Sequence, residues 1–228
     1  WDALVVLFWV AIVIGAGRAM MVLVLALLRR PSKTLYTGTP PSVTVIIPAY
    51  NEEVVIVKSV RRVLASEYGD LKVIVIDDGS SDQTLARVRK AYGAHPQVTI
   101  LTQPNRGKWS ALNTAYRIVD TEVTVCIDAD TQIEPMAVSW LCRHFSDPNV
   151  GAVAGKLLVG NQRNLLTRLQ ALEYTTAQNI DRRAMELING MLVVPGAIGA
   201  WRVSAVREAG LYTGETLSED ADLTVAVV

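Results

Sequence analysis

The sequence predicts an α/β domain on a mainly parallel sheet, preceded by one membrane-spanning helix. Three observations carry this expectation. Short β-branched runs recur about every 25–30 residues, helix-compatible segments lie between them, and the N-terminal stretch is apolar with almost no charge. The composition agrees: 22 basic and 22 acidic side chains cancel, and half of the 228 residues are apolar. A neutral chain argues against nucleic acid as a main partner. The same composition excludes a disordered, collagen-like or disulfide-stapled chain. Residue 1 is Trp rather than Met and residue 228 falls inside the apolar-rich run Leu223 to Val228, so a piece of a longer protein is expected.

Residues 1–28 hold two charged side chains, Asp2 and Arg18. The transmembrane helix is placed at residues 3–28, which as a helix span about 39 Å and exceed a ~30 Å hydrocarbon core. A signal peptide has a shorter apolar region after a basic start, whereas here Arg29, Arg30 and Lys33 follow. Positive flanks mark the cytoplasmic side, so the remainder is expected to face the cytosol from the cell (inner) membrane. Arg18 would face other helices of a bundle. Residues 29–42 read as a linker, with prolines at 31, 40 and 41 and a glycine at 38.

The domain is expected over residues 43–228. Val43–Pro48, Lys72–Asp77, Val98–Thr102 and Val123–Asp128 read as strands. Their apolar character is continuous rather than alternating, as in a buried parallel sheet. Glu53–Glu67, Gln83–Tyr92 and Lys108–Val119 read as the intervening helices. After Asp130 come a helix Met136–Phe145, a strand-like run Val150–Val159 and a helical stretch Asn161–Ile188. Leu165, Leu166, Leu169, Leu172 and Ile180 are helix-spaced, suited to packing on the sheet or to a bilayer surface, with core packing the default. Cys126 and Cys142 read as buried free thiols in a reducing compartment.

In open parallel sheets ligands sit beyond the carboxyl ends of the strands, and each of those loops here is polar. Asp128-Ala129-Asp130 ends the fourth run. Two carboxylates side by side repel unless a cation intervenes, and hard oxygen donors suit Mg²⁺ or Mn²⁺ bridging to phosphates. Asp77 to Asp82 follows the second run and suits either ribose and base contacts or the cap of the next helix by Ser80, Ser81 or Asp82. Pro48 to Glu52 offers Asn51 as a cap and Tyr50 as a stacking ring. Asn105-Arg106-Gly107-Lys108 leads two cations into a helix start, where an anion is welcome. Ser218-Glu219-Asp220 presents either a general base or another helix cap. His95 and His144 are isolated in sequence.

Taken together, these loops resemble the family 2 glycosyltransferases, especially the processive membrane synthases of poly-N-acetylglucosamine, hyaluronan, chitin and cellulose. The resemblance rests on Pro48 to Glu52, Asp77 to Ser80, Asn105 to Lys108, Asp128 to Asp130, Pro195-Gly196-Ala197 with Trp201-Arg202, and Glu219-Asp220, in unbroken order. It implies a GT-A nucleotide-binding fold and an inverting transfer of a sugar, N-acetylglucosamine, from a UDP-sugar to a growing β-linked polysaccharide at the membrane lipid. It implies that Ala49, Tyr50, Glu52, Asp78, Lys108 and Asp128 bind the nucleotide-sugar. Asp128 and Asp130 match the metal motif for Mg²⁺ or Mn²⁺, Asp220 the base with Glu219 beside it, and Gly196 and Trp201 the acceptor wall. Position 218 is Ser where the family has Thr, and the downstream Q-x-x-R-W signature is absent from the 228 residues. A single-sugar transferase to a lipid carrier and a non-catalytic membrane scaffold are the rival readings.

Overall fold

The computed structural model describes residues 1–28, 39–158, 164–175, 180–187, 193–216 and 218–227. The chain divides into two units, Trp1–Lys33 with Lys156–Met191, and Thr34–Gly155 with Leu192–Val228. Residues 156–191, which lie within the domain expected over 43–228, group with the N-terminal helix. Most of the linker expected over 29–42 lies outside the described residues.

In the sheet unit, β1 (Val43–Ala49), β2 (Leu71–Asp77), β3 (Val98–Thr102) and β4 (Val123–Ile127) run parallel. All five residues of β4 and the first five of β1 are buried, which explains their unbroken apolar character. The full order is β3-β2-β1-β4-β6-β5, with β6 (Ile198–Arg202) antiparallel to β4 and β5 (Ala152–Ala154) antiparallel to β6. The connectivity reverses direction between β1 and β4, which opens a crevice at their carboxyl ends.

The crossover helices follow from their spacing. Helix α2 (Ile56–Leu64) buries Ile56, Ser59, Val60 and Val63, one stripe at three- and four-residue intervals. Helices α3 (Thr84–Tyr92) and α4 (Lys108–Tyr116) cover the neighbouring strands; Ala111, Leu112, Ala115 and Tyr116 of α4 join Ile46, Ile74 and Trp201 in the core. Cys126 and Cys142 are buried free thiols, and burial pushes both up to about 12.

Two elements differ from expectation. The strand run Val150–Val159 shortens to β5, while β6, which sequence reading omitted, carries the pairing with β4. β6 contains Gly199 and Ala200 instead of a β-branched run, because space is short: a Cβ on Gly199 would lie 2.6 Å from Val194 Cγ1. The chain continues into α8 (Val203–Glu208) and ends in α9 (Glu219–Val227), with α5 (Ala137–Cys142) earlier.

In the other unit, α1 spans Asp2–Leu28 and is long and apolar enough to cross a bilayer. Its side chains are mostly exposed; only Val22 and Ala26 are buried, and α7 (Arg182–Leu187) packs on the helix with Ala184 fully buried. Helix α6 (Leu165–Thr175) departs from the core packing expected of it. Leu165, Leu166, Leu169 and Leu172 are all more than half exposed. The stretch Asn161–Ile188 is described only in these two helices and residues 164 and 180–181.

Candidate active site

The loops after β1 and β2 are zipped together by side-chain to backbone bonds. Asn51, in the left-handed region at φ 56°, donates its N–H to Ser80 Oγ (2.9 Å) and accepts from Ser81 N–H at Oδ1 (2.9 Å). Glu52 N–H donates to Thr84 Oγ1 (2.7 Å) and Glu53 N–H to Asp82 Oδ2 (3.2 Å). Asn51 therefore fastens the neighbouring loop and does not cap α2, as its sequence position suggested. Asp82 does act at a helix start, accepting from Thr84 N–H (2.9 Å). Tyr50 projects from the zipped loop half exposed, and the carbonyl of buried Ala49 accepts from Asp78 N–H.

Asp78 organises the next loop. Its buried carboxylate accepts from Gln103 Nε2 (2.7 Å), Arg106 N–H (3.1 Å) and Gly107 N–H (2.8 Å). The loop passes so close that a Cβ on Gly79, at φ 72°, would sit 2.6 Å from Asn105 N. Gly107 turns at φ 91° into α4, which delivers Lys108 to the crevice.

Lys108 is the centre of the arrangement. Its Nζ lies 2.8 Å from Asp128 Oδ1, 3.8 Å from Glu219 Oε1 and 3.8 Å from Asp220 Oδ2. One cation thus joins the end of β4 to the first turn of α9. Burial pulls the Lys108 ammonium down, but Asp220, Asp128 and Glu219 outweigh it and hold it above its ordinary value. Burial drives Asp220 the other way, up to about 6, against Lys108; Glu219 and Asp128 add to the rise. The floor of this cluster is Gly196, where a Cβ would collide with Asp220 Oδ2 and stand 2.5 Å from Lys108 Nζ. No other residue leaves room for the pair to meet.

On the opposite side, Glu52 is raised by burial and then by Asp130, Asp82 and Asp128. Asp130 is exposed at the turn after β4, whereas Ala129 between the two aspartates is buried, its carbonyl accepting from Ser59 Oγ. Among the described residues no three His, Cys, Asp or Glu side chains form a complete metal cage. Asp128 and Asp130 lie near enough to raise the Glu52 carboxyl, and carboxylate oxygens are the hard donors that Mg²⁺ and Mn²⁺ prefer.

The structure thus gathers Lys108, Asp128, Gly196, Glu219 and Asp220, and gathers Ala49, Tyr50, Glu52 and Asp130 nearer β1. Trp201 is a correction. It is 1% exposed and belongs to the core cluster that also holds Tyr116, Val194 and Leu223, so its side chain is packed away from the surface that an acceptor would meet. Sequence reading missed Asp222, which accepts from Thr216 Oγ1 (2.6 Å) and Thr213 Oγ1 (3.3 Å) and ties down the loop before α9. It also missed Gln103, whose Oε1 accepts from Thr114 Oγ1 (2.6 Å). The available signal for Asp222 was three acidic residues within one helical turn, Glu219, Asp220 and Asp222, at a helix N-terminus.

Comparison with known proteins bears on the family and the fold. Poly-beta-1,6-N-acetyl-D-glucosamine synthase of Staphylococcus aureus is 30% identical over 179 residues, 78% of this chain and 43% of that protein. Its Staphylococcus epidermidis counterpart is 28% identical over the same length. The chain therefore spans less than half the length of the curated relatives it matches. Among solved structures, the mannosyltransferase PcManGT from Pyrobaculum calidifontis, in complex with GDP-Man and Mn²⁺, superposes with a TM-score of 0.74 at 26% identity, covering 94% of this chain and 61% of that one. S. aureus TarS 1-349 in complex with UDP-GlcNAc superposes with a TM-score of 0.61 at 19% identity, over 82% of this chain and 53% of its own, so the α/β fold is of the GT-A kind. The model of glycosyl transferase family 2 matches residues 44–208, well over half of the sequence, and the chain belongs to that family.

Proposed function

We propose that the chain is the donor-binding part of a membrane-associated, inverting glycosyltransferase that moves N-acetylglucosamine from UDP to a growing β-linked polysaccharide. The observation that carries it is the Lys108 cluster, which places the cation between the Asp128 carboxylate of the donor side and Asp220. Asp220 accepts the proton of an acceptor hydroxyl; the freed oxygen bonds to the anomeric carbon as the bond from that carbon to the diphosphate oxygen breaks. A single displacement inverts the centre. Lys108 stabilises the negative charge that grows on the departing diphosphate. Asp128 and Asp130 would hold Mg²⁺ or Mn²⁺, which when bound offsets the same charge. Tyr50 and Glu52 line the nucleoside side, and Asp78 shapes that pocket by fixing the 103–107 loop.

The sugar and nucleotide assignments are supported by the poly-N-acetylglucosamine synthase relatives and the UDP-GlcNAc complex of TarS. The Mn²⁺ in the mannosyltransferase complex supports the metal. Helix α1 supports membrane association, with the sheet unit on the cytosolic side, and the exposed leucines of α6 suit the bilayer surface.

The test is titration of UDP in Mg²⁺, Mn²⁺ and chelator, combined with UDP release from UDP-N-acetylglucosamine by the full-length protein in membranes. Asp130→Ala should weaken metal-dependent UDP binding, and Asp220→Asn should abolish transfer while sparing UDP binding. Unchanged turnover in Asp220→Asn would sink the base assignment, and product limited to one sugar on lipid would favour the single-transfer rival. UDP binding without any turnover by the full-length protein would favour the scaffold.

A further inference from the structure

We infer that Thr224 is a positioning residue for Asp220, its buried hydroxyl latching the first turn of α9 onto the segment 194–196 so that the carboxylate meets Lys108 above Gly196. The inference rests on the reading of Asp220 as the base.

Thr224 lies one helical turn after Asp220 and is fully buried. Its Oγ1 donates to the Asp220 carbonyl (2.6 Å) and accepts from Val194 N–H (2.9 Å). The first bond is a common habit of threonine within helices and by itself says nothing. The second crosses 30 residues of sequence and fixes a different segment to the same turn.

That segment is the one that contacts the base. Gly196, two residues beyond Val194, lies directly against the Asp220 carboxylate, where an added Cβ would collide with Oδ2, so there is no room for a side chain beside it. Val194 is itself 1% exposed in the core cluster with Trp201 and Leu223, so the segment is anchored to the sheet. One piece of backbone therefore meets Asp220 at two places, tied to its carbonyl through Thr224 and packed against its carboxylate at Gly196. Placement of a reacting group matters steeply, since about 1 Å of displacement costs on the order of a hundredfold in rate.

Thr224→Val replaces the hydroxyl with a methyl of nearly equal size and removes both bonds; Thr224→Ser keeps the hydroxyl. In the full-length protein in membranes, with UDP-N-acetylglucosamine as donor and UDP release as readout, Thr224→Val should lower kcat at least about tenfold. KM for the donor and the affinity for UDP should stay within about twofold, because Lys108 and the nucleoside loops are untouched, and Thr224→Ser should restore kcat. If Thr224→Val does not fold, Thr224→Ala leaves space for a water between Val194 N–H and the Asp220 carbonyl and gives the same kcat-only loss. Unchanged kcat in a folded variant, or kcat and UDP affinity falling by the same factor, overturns the latch. Asp220→Asn run alongside separates the two ideas: activity retained there defeats the base reading itself, whereas an inactive Asp220→Asn with a wild-type Thr224→Val defeats only the latch.

Discussion

Gly196→Ala adds one methyl group at the narrowest point of the site. The added Cβ would fall 2.5 Å from Lys108 Nζ and 2.8 Å from Asp220 Cγ. Ordinary contacts need about 3.5 Å or more, so Lys108 Nζ must retreat by about 1 Å, and the Asp220 carboxylate, whose Oδ2 stands closer still, by more than that. Misplacement of that size costs on the order of a hundredfold in turnover, equivalent to about 2.7 kcal/mol at 1.36 kcal/mol per decade. The backbone itself accepts alanine, because Gly196 is not among the residues with positive φ. Removing a glycine from the unfolded chain favours folding by about 0.4–1 kcal/mol, which offsets part of the local strain. The expected result is a nearly unchanged thermal midpoint with a roughly hundredfold fall in UDP release from UDP-N-acetylglucosamine, measured in membranes carrying the full-length variant. Turnover within about threefold of wild type refutes the reasoning, since it would mean that Lys108 and Asp220 have no need of their observed contact.

Three further outcomes are expected. With Asp220 at about 6, its deprotonated fraction falls from about nine-tenths at pH 7 to about one-tenth at pH 5, so turnover should drop about tenfold across that interval, read from a pH–kcat profile. Stability runs the other way: the folded value lies above the unfolded one, so the contribution to stability is fully present below pH 3.8 and is lost as pH rises through about 6. Lys108→Met removes the cation that lowers Asp220, so the acid limb should move to higher pH; a limb that stays in place refutes the electrostatic coupling. Asp78→Asn sets an amide against donors from Gln103, Arg106 and Gly107, and should cost about 1–3 kcal/mol in denaturant unfolding together with loss of UDP affinity. A nitroxide at position 169 should be reached by oxygen and shielded from a water-soluble nickel chelate in vesicles, with the reverse at position 167 on the opposite side of the helix; equal accessibility at both would remove α6 from the bilayer surface.

The four parallel strands and their helices were legible because β-branched runs buried on both faces leave an unmistakable pattern, and the polar loops between them marked the crevice. β6 was not legible, since tight packing against Val194 demands Gly199 and Ala200, which lack strand propensity. Lys108, Asp128 and Asp220 could be named from their loops, but their meeting depends on α9 arriving beside β4 from nearly a hundred residues away, which no local pattern contains. Trp201 differs for a related reason: its neighbours in sequence are alanine and arginine, yet it belongs to a cluster of core side chains. The leucines of α6 show the converse, a core-like periodicity that the structure leaves facing outward.

The pairing of β4 with β6 also constrains how the chain can be made. Val123 sits opposite Arg202, so nearly eighty residues must emerge from the ribosome before one edge of β4 finds its partner. At about 5–20 residues per second that interval lasts roughly 4–16 s. During it β1 to β4 can already assemble as a parallel block, yet β4, all of whose residues are buried in the finished fold, presents an unpaired edge. The intervening residues 156–191 group with α1, which precedes β1 in the chain. Nascent chains arrested before Ile198 should therefore depend on chaperone cover or on the bilayer itself, and those released after Arg202 should not.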